Sequence, residues 1–177
     1  MEKIQLLEEL KNDMLLGIKN AVQEIKLKDN DEVCYIALMG SDYEPVLGLI
    51  TLGIKSFRDE MTIEEKKDKF WYLWNSAEMP ANYQVGPNKV SESFDDKQAT
   101  FVKLAEDDDW DETWELCQNV RFEVANQLNN VDWKDSLPIT DEFVVYSEWE
   151  AIDVTNGDLE KSLPEEKLYL LKKRGLI

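Results

Sequence analysis

Histidine is absent from this chain, and basic residues are scarce: 20 Lys and Arg stand against 38 Asp and Glu, a formal net charge of -18. Without the one side chain that titrates near neutrality, imidazole-based nucleophile activation, proton shuttling and His metal ligation are excluded. The acidic balance excludes a nucleic-acid interface, because phosphate contacts need clustered Lys and Arg. Only two cysteines occur, Cys34 and Cys117, each inside an apolar-periodic stretch. With no Cys-x-x-Cys spacing and no basic neighbours to lower a thiol pKa, they read as small, inert, reduced core residues. The seven glycines are scattered, so neither a P-loop nor a dinucleotide fingerprint is formed, and no cofactor is expected. No run approaches the ~18 apolar residues of a membrane span, and Met1-Glu2-Lys3-Ile4-Gln5 lacks a signal-peptide core, so a cytoplasmic protein is expected.

What is present fits one α+β domain over residues 1–177, with a mainly antiparallel sheet of four to five strands against long N-terminal and central helices. Ile4, Leu7, Leu10, Met14, Ile18, Val22 and Ile25 recur at helical spacing, an amphipathic helix of about seven turns that Asp29-Asn30-Asp31 ends. Apolar runs at 33–39 and 46–54, separated by Gly40-Ser41-Asp42 and Glu44-Pro45, predict a buried antiparallel hairpin. Thr62 and Glu65 have the spacing of a capping box that would start a short helix. Phe70-Trp71-Tyr72-Leu73-Trp74 reads as a strand running into a tight turn before Pro80, and 82–97 as loop. Trp114, Cys117, Val120 or Arg121, Val124 and Leu128 mark a second long helix over 111–131. Phe143 to Trp149 reads as a central strand. A last helix is capped by Ser162 with Pro164 in its first turn and is closed by Gly175.

Two groups of residues are candidates for function. Asp107, Asp108 and Asp109 adjoin Trp110 and Trp114, which lie four apart and share a helix face; exposed tryptophan rimmed by carboxylates is the composition of a protein-binding hot spot. Burial of both indoles in the core accounts for the same letters. The acidic run fails as an EF-hand, since Glu112 and Gln118 stand where Gly and Glu are needed, so no metal site is expected and a solvated helix N-terminus explains it. The second group is Glu78 with Glu148 or Glu150, an acid and base pair of glycosidase type, against which Asn75 to Glu78 has the spacing of a structural cap.

The long first helix, Cys34-Tyr35-Ile36-Ala37-Leu38, Trp74-Asn75-Ser76-Ala77-Glu78 and the closing strand Asp141 to Tyr146 together resemble the bacterial domain-of-unknown-function 4303 family over most of the chain. That family's Trp-x-x-Ala-Glu-Trp pattern matches at Trp74, Ala77 and Glu78, with Met79 in the last place. The resemblance implies a bacterial protein and, from members near polymorphic toxin genes, an immunity role. The expectation is therefore a protein-binding module whose acidic face attracts a basic protein such as a toxin. The alternative is a hydrolase using carboxylates alone or with a divalent metal.

Overall fold

A computed structural model describes residues 3–64, 69–149, 152, 154 and 157–177. Helix α1 (Lys3–Gln23) buries Leu6, Leu7, Leu10, Met14, Ile18 and Val22 on one face, as the spacing predicts, and at 21 residues makes about six turns. Gly17 lies on that face because the Val90 carbonyl packs directly on it, where a Cβ would overlap the oxygen. Strand β1 (Val33–Met39) is buried along nearly its whole length and pairs antiparallel with β2 (Leu49–Ile54), the expected hairpin. β2 starts three residues later than its apolar run suggests. Val46 and Leu47 leave the ladder because their N–H groups donate to Gln98 Oε1, both at 2.9 Å, while Gln98 Nε2 returns to the Leu47 carbonyl at 3.0 Å.

Other local readings are corrected by the structure. Helix α2 (Lys55–Glu64) begins directly after β2, so Thr62 lies within a helix instead of starting one, and Glu65 lies outside the described residues. Phe70 to Trp74 belong to helix α3 (Lys69–Trp74), not a strand. Phe70 and Trp71 are exposed while Leu73 and Trp74 are buried, a two-and-two alternation that a helix face produces and a strand does not. The 82–97 segment is only partly loop: two 3-10 turns flank the two-residue strand β3 (Gln84–Val85), and helix α4 (Phe94–Leu104) follows, burying Phe94, Gln98 and Phe101 at helical spacing.

Helix α5 (Trp110–Leu128) is the expected second long helix. Strand β4 (Ile139–Glu148) pairs parallel with β1, giving a four-stranded mixed sheet in the order β3-β2-β1-β4. β4 is thus an edge strand and not the central one its apolar start predicts. It carries central-strand residues because side chains close its outer edge. Val145 N–H and C=O are both taken by the Asn129 amide, Ser147 N–H donates to Ser162 Oγ at 3.0 Å, and Lys167 Nζ donates to the Phe143 carbonyl at 2.7 Å. Ser162 is therefore the last residue of helix α6 (Asp158–Ser162) and a strand-edge acceptor, while Pro164 occupies the N-cap position of α7 (Glu165–Lys173) without a side-chain cap. Gly175 closes α7 as expected: its φ of 65° lets Leu176 N–H reach the Leu171 carbonyl.

The pleat sorts the sheet into two chemically distinct faces. Ile36, Leu38, Ile50, Leu52, Val145 and Ser147 share one by register, and Arg121 of α5 meets Ser147 there. Tyr35, Thr51, Gly53, Tyr146 and Glu148 share the other, under α2, α3 and the turn after α3, with Trp74 against both tyrosine rings. Gly53 makes room for the Tyr35 ring, which would collide with any Cβ at that position.

Candidate functional site

The acidic run folds as the N-terminus of α5. Asp109 is its N-cap, and its carboxylate accepts from the N–H groups of Asp111 and Glu112 at 2.9 and 3.2 Å, satisfying donors that the first helical turn leaves open. Asp108 forms an ion pair with Lys3 of α1, and Asp107 is exposed. Among the described residues no group of three or more Cys, Asp or Glu is arranged to hold a metal ion.

Trp110 and Trp114 do not form one patch. Trp110, the first residue of α5, remains 38% exposed and lines a groove of about 490 Å³ with Ala99, Val102 and Ala105 of the α4 end, Lys103, Glu106 and Asp108. This is an apolar floor with charged walls. Trp114, one turn further along, is half-buried and packs edge-on against Trp149. Those two indoles help line a separate pocket of about 220 Å³ with Gln118, Phe122 and Ser147. Neither the hot-spot reading nor the core reading covers both residues.

The turn after α3 carries Glu78 and, through Ser76, touches Glu148, but the two carboxyl groups sit in different environments. Asn75 caps that turn, accepting from Ala77 N–H at 3.2 Å, which leaves Glu78 exposed at its end. Glu148 is buried on the polar sheet face, where one carboxylate oxygen accepts from Ser76 N–H at 3.3 Å and the other has no hydrogen-bond partner. Burial pushes its pKa up to about 7, against the opposing hydrogen bond from Ser76. Nearby, Tyr35 Oη and Arg58 Nη1 are also buried without a partner. Burial raises Glu142, earlier in the same strand, but hydrogen bonds from Arg58 and the backbone, with the charges of Arg58 and Arg174, together outweigh it and hold the carboxyl below its ordinary value. Glu150 lies outside the described residues.

Cys34 and Cys117 are free and buried, and burial pushes both thiols up to about 12, which leaves them protonated and unreactive at neutral pH. Arg121 was not legible as a site residue from the spacing alone. The available signal was its position: it occupies the apolar stripe of α5 between Cys117 and Val124, and it is fully buried. Its guanidinium stands over the Trp114 and Trp149 rings at 5.7 and 5.9 Å.

Among the described residues, no helix is long and apolar enough to cross a membrane. Comparison with known proteins finds no matching family model, no matching curated protein and no matching solved structure.

Proposed function

We propose that this chain is a protein-binding module that receives a basic partner at the Trp110 groove, acting as an immunity factor that neutralises a basic toxin. The observation that carries the reading is a partly exposed indole over an apolar groove at the mouth of an acidic helix terminus, in a chain of net charge -18. Glu106, Asp107, Asp111 and Glu112 are all exposed around it. The division of labour follows: the field speeds encounter, and the desolvated indole holds the complex. The toxin identity of the partner rests on the family resemblance and on the absence of histidine-based catalytic equipment. The test is capture from the native host's lysate on the immobilised chain, washed with rising salt. One stoichiometric basic protein should be retained and then released as salt rises, with Trp110→Ala weakening its binding by roughly 10- to 100-fold, the range of a hot-spot truncation. An acidic partner, or one indifferent to Trp110→Ala in a variant of unchanged circular dichroism, would overturn the reading.

One observation favours a second reading, hydrolysis by a carboxylate. Glu148, with a pKa near 7 and an oxygen without a partner, has the character of a general acid or base poised at neutral pH. Under it, turnover of chromogenic ester, glycoside or phosphoester substrates by the wild type should fall by at least about 100-fold in Glu148→Gln, the usual scale of general acid–base catalysis. No turnover by the wild type removes this reading.

A further inference from the structure

The solvent side of α5 changes chemistry halfway along the helix. Its first turns present the exposed carboxylates Asp111, Glu112 and Glu115, whereas Asn119, Asn126 and Gln127 follow in its second half. Spacings of seven and eight residues put these three on one face. Asparagine is a poor choice inside a helix, because its short amide competes for backbone groups. Neither Asn119 nor Asn126 is used that way here: among the described residues, none of the three side-chain amides has a hydrogen-bond partner. Two helix-weakening residues are thus spent on groups that only solvent or a ligand can engage.

The three amides line a pocket of about 560 Å³ together with Phe122, Glu123 and Lys161 of α6. Lys161 Nζ stands 5.5 Å from the Phe122 ring centroid, so the lysine stem and what the ring leaves exposed supply the apolar part of the lining. Glu123 is held by Lys11 of α1 at 2.5 Å, and Lys161 has no ion-pair partner among the described residues. The ammonium disfavours a cationic ligand at close range, while the field of a chain of net charge -18 disfavours an anionic one. A neutral ligand meets neither penalty. It must also supply both donors and acceptors, because each carboxamide offers an acceptor oxygen and two N–H donors. Sugar hydroxyls do this, since every hydroxyl both donates and accepts.

We infer that this pocket binds a neutral saccharide, its hydroxyls meeting the amides of Asn119, Asn126 and Gln127 and its C–H surface resting against Phe122 and the Lys161 stem. The volume lies within the ~300–1,000 Å³ of small-molecule sites, which leaves room for about one or two sugar rings. This site is separate from the Trp110 groove and does not depend on the protein-binding reading.

The test uses the ¹⁵N-labelled wild-type chain, in which the side-chain NH₂ cross-peaks of Asn119, Asn126 and Gln127 report on the pocket directly. The ligands titrated are glucose, galactose, mannose, N-acetylglucosamine, cellobiose, maltose and lactose. At least one should shift all three amide signals saturably, with millimolar or tighter affinity, and leave the Trp110 indole signal in place. Glucuronate should bind at least about tenfold more weakly than the best neutral sugar. Asn119→Asp and Gln127→Glu keep side-chain shape at exposed positions but replace donors by acceptors, and each should weaken that sugar by at least about tenfold. No saturable shift up to about 100 mM, a range that covers millimolar affinity, would overturn the site. Unchanged affinity in both variants would overturn the role of the amides, and equal binding of glucuronate would overturn the restriction to neutral ligands. A Trp110 shift with the same midpoint would move the binding to the other groove and overturn this assignment.

Discussion

Asn129→Ala is expected to destabilise the fold by about 3–5 kcal/mol. The amide sits just past α5 and is 8% exposed. Its Oδ1 accepts from Val145 N–H at 2.9 Å, and its Nδ2 donates to the carbonyls of Ala125, Val145 and Ser162 at 2.9, 2.7 and 3.2 Å. One side chain thereby ties together α5, the outer edge of β4 and the end of α6. Removing it strands the Val145 N–H and C=O and the Ser162 carbonyl, and a buried polar group left unpaired costs roughly 1–3 kcal/mol. Domains of this size are stable by only about 5–15 kcal/mol, so the variant should unfold at markedly lower urea. Asn129→Asp should be no better, because it keeps the acceptor but turns a carboxylate toward three carbonyls. Asn130→Ala is the internal control: that amide is exposed and reaches only the Asn126 carbonyl, so its loss should stay within about 0.5 kcal/mol. Equal urea midpoints for the two alanine variants would mean that water replaces the Asn129 amide.

The second large effect is a pH dependence that Glu148→Gln should remove. In the fold one carboxylate oxygen accepts from Ser76 N–H, and the charge helps burial push the pKa values of the Tyr35 and Tyr146 hydroxyls well up. Its pKa is about 7 in the fold against an ordinary 4.5, so the folded state holds the proton more tightly than the unfolded chain does. Stability from this group is complete below the unfolded value and is lost as pH rises through about 7. The gap corresponds to about 3 kcal/mol at pH 8. Urea unfolding should therefore show the glutamine variant more stable than wild type by that order at pH 8 and equal to it near pH 4.5. A variant that parallels wild type across this range would place the carboxyl in contact with water. The comparison between variants matters because self-repulsion of the other carboxylates also grows with pH and is common to both chains.

How much of this was legible in the sequence divides along physical lines. α1 and α5 were readable because burial on one side imposes a strict period, which in Leu7, Leu10, Met14, Ile18 and Val22 only a helix satisfies, and β1 because burial on both faces leaves a short continuous apolar run between turn residues. Phe70 to Trp74 misled because aromatic residues favour strands on average, while here tertiary burial of Leu73 and Trp74 decides for a helix. α4 was hidden by the Gly, Pro, Asn and Ser residues before it and by Asp95 and Asp96 in its first turn, although Phe94, Gln98 and Phe101 keep its period. β4 reads as central because Val144, Val145 and Tyr146 are fully buried, and sequence spacing cannot reveal that Asn129, Ser162 and Lys167 stand in for a missing neighbour. At the candidate sites the letters offered Trp110, Trp114 and Glu148 as candidates. What they could not supply was partition: one turn of helix sends Trp110 to the α4 groove and Trp114 to Trp149.

The closed outer edge of β4 also governs how this protein can meet other chains. An open strand edge is a template on which a foreign strand can grow, the route to domain exchange and to fibrils. With the Phe143 carbonyl, both backbone groups of Val145 and the Ser147 N–H already engaged by side chains, an incoming strand would have to displace an ammonium, an amide and a hydroxyl to pair along this stretch of β4. The opposite border of the sheet is β3, only two residues long, which offers too little backbone to recruit one. Among the described residues, strand addition at either of these two borders is thereby disfavoured, and contact through side chains is favoured over pairing of backbones.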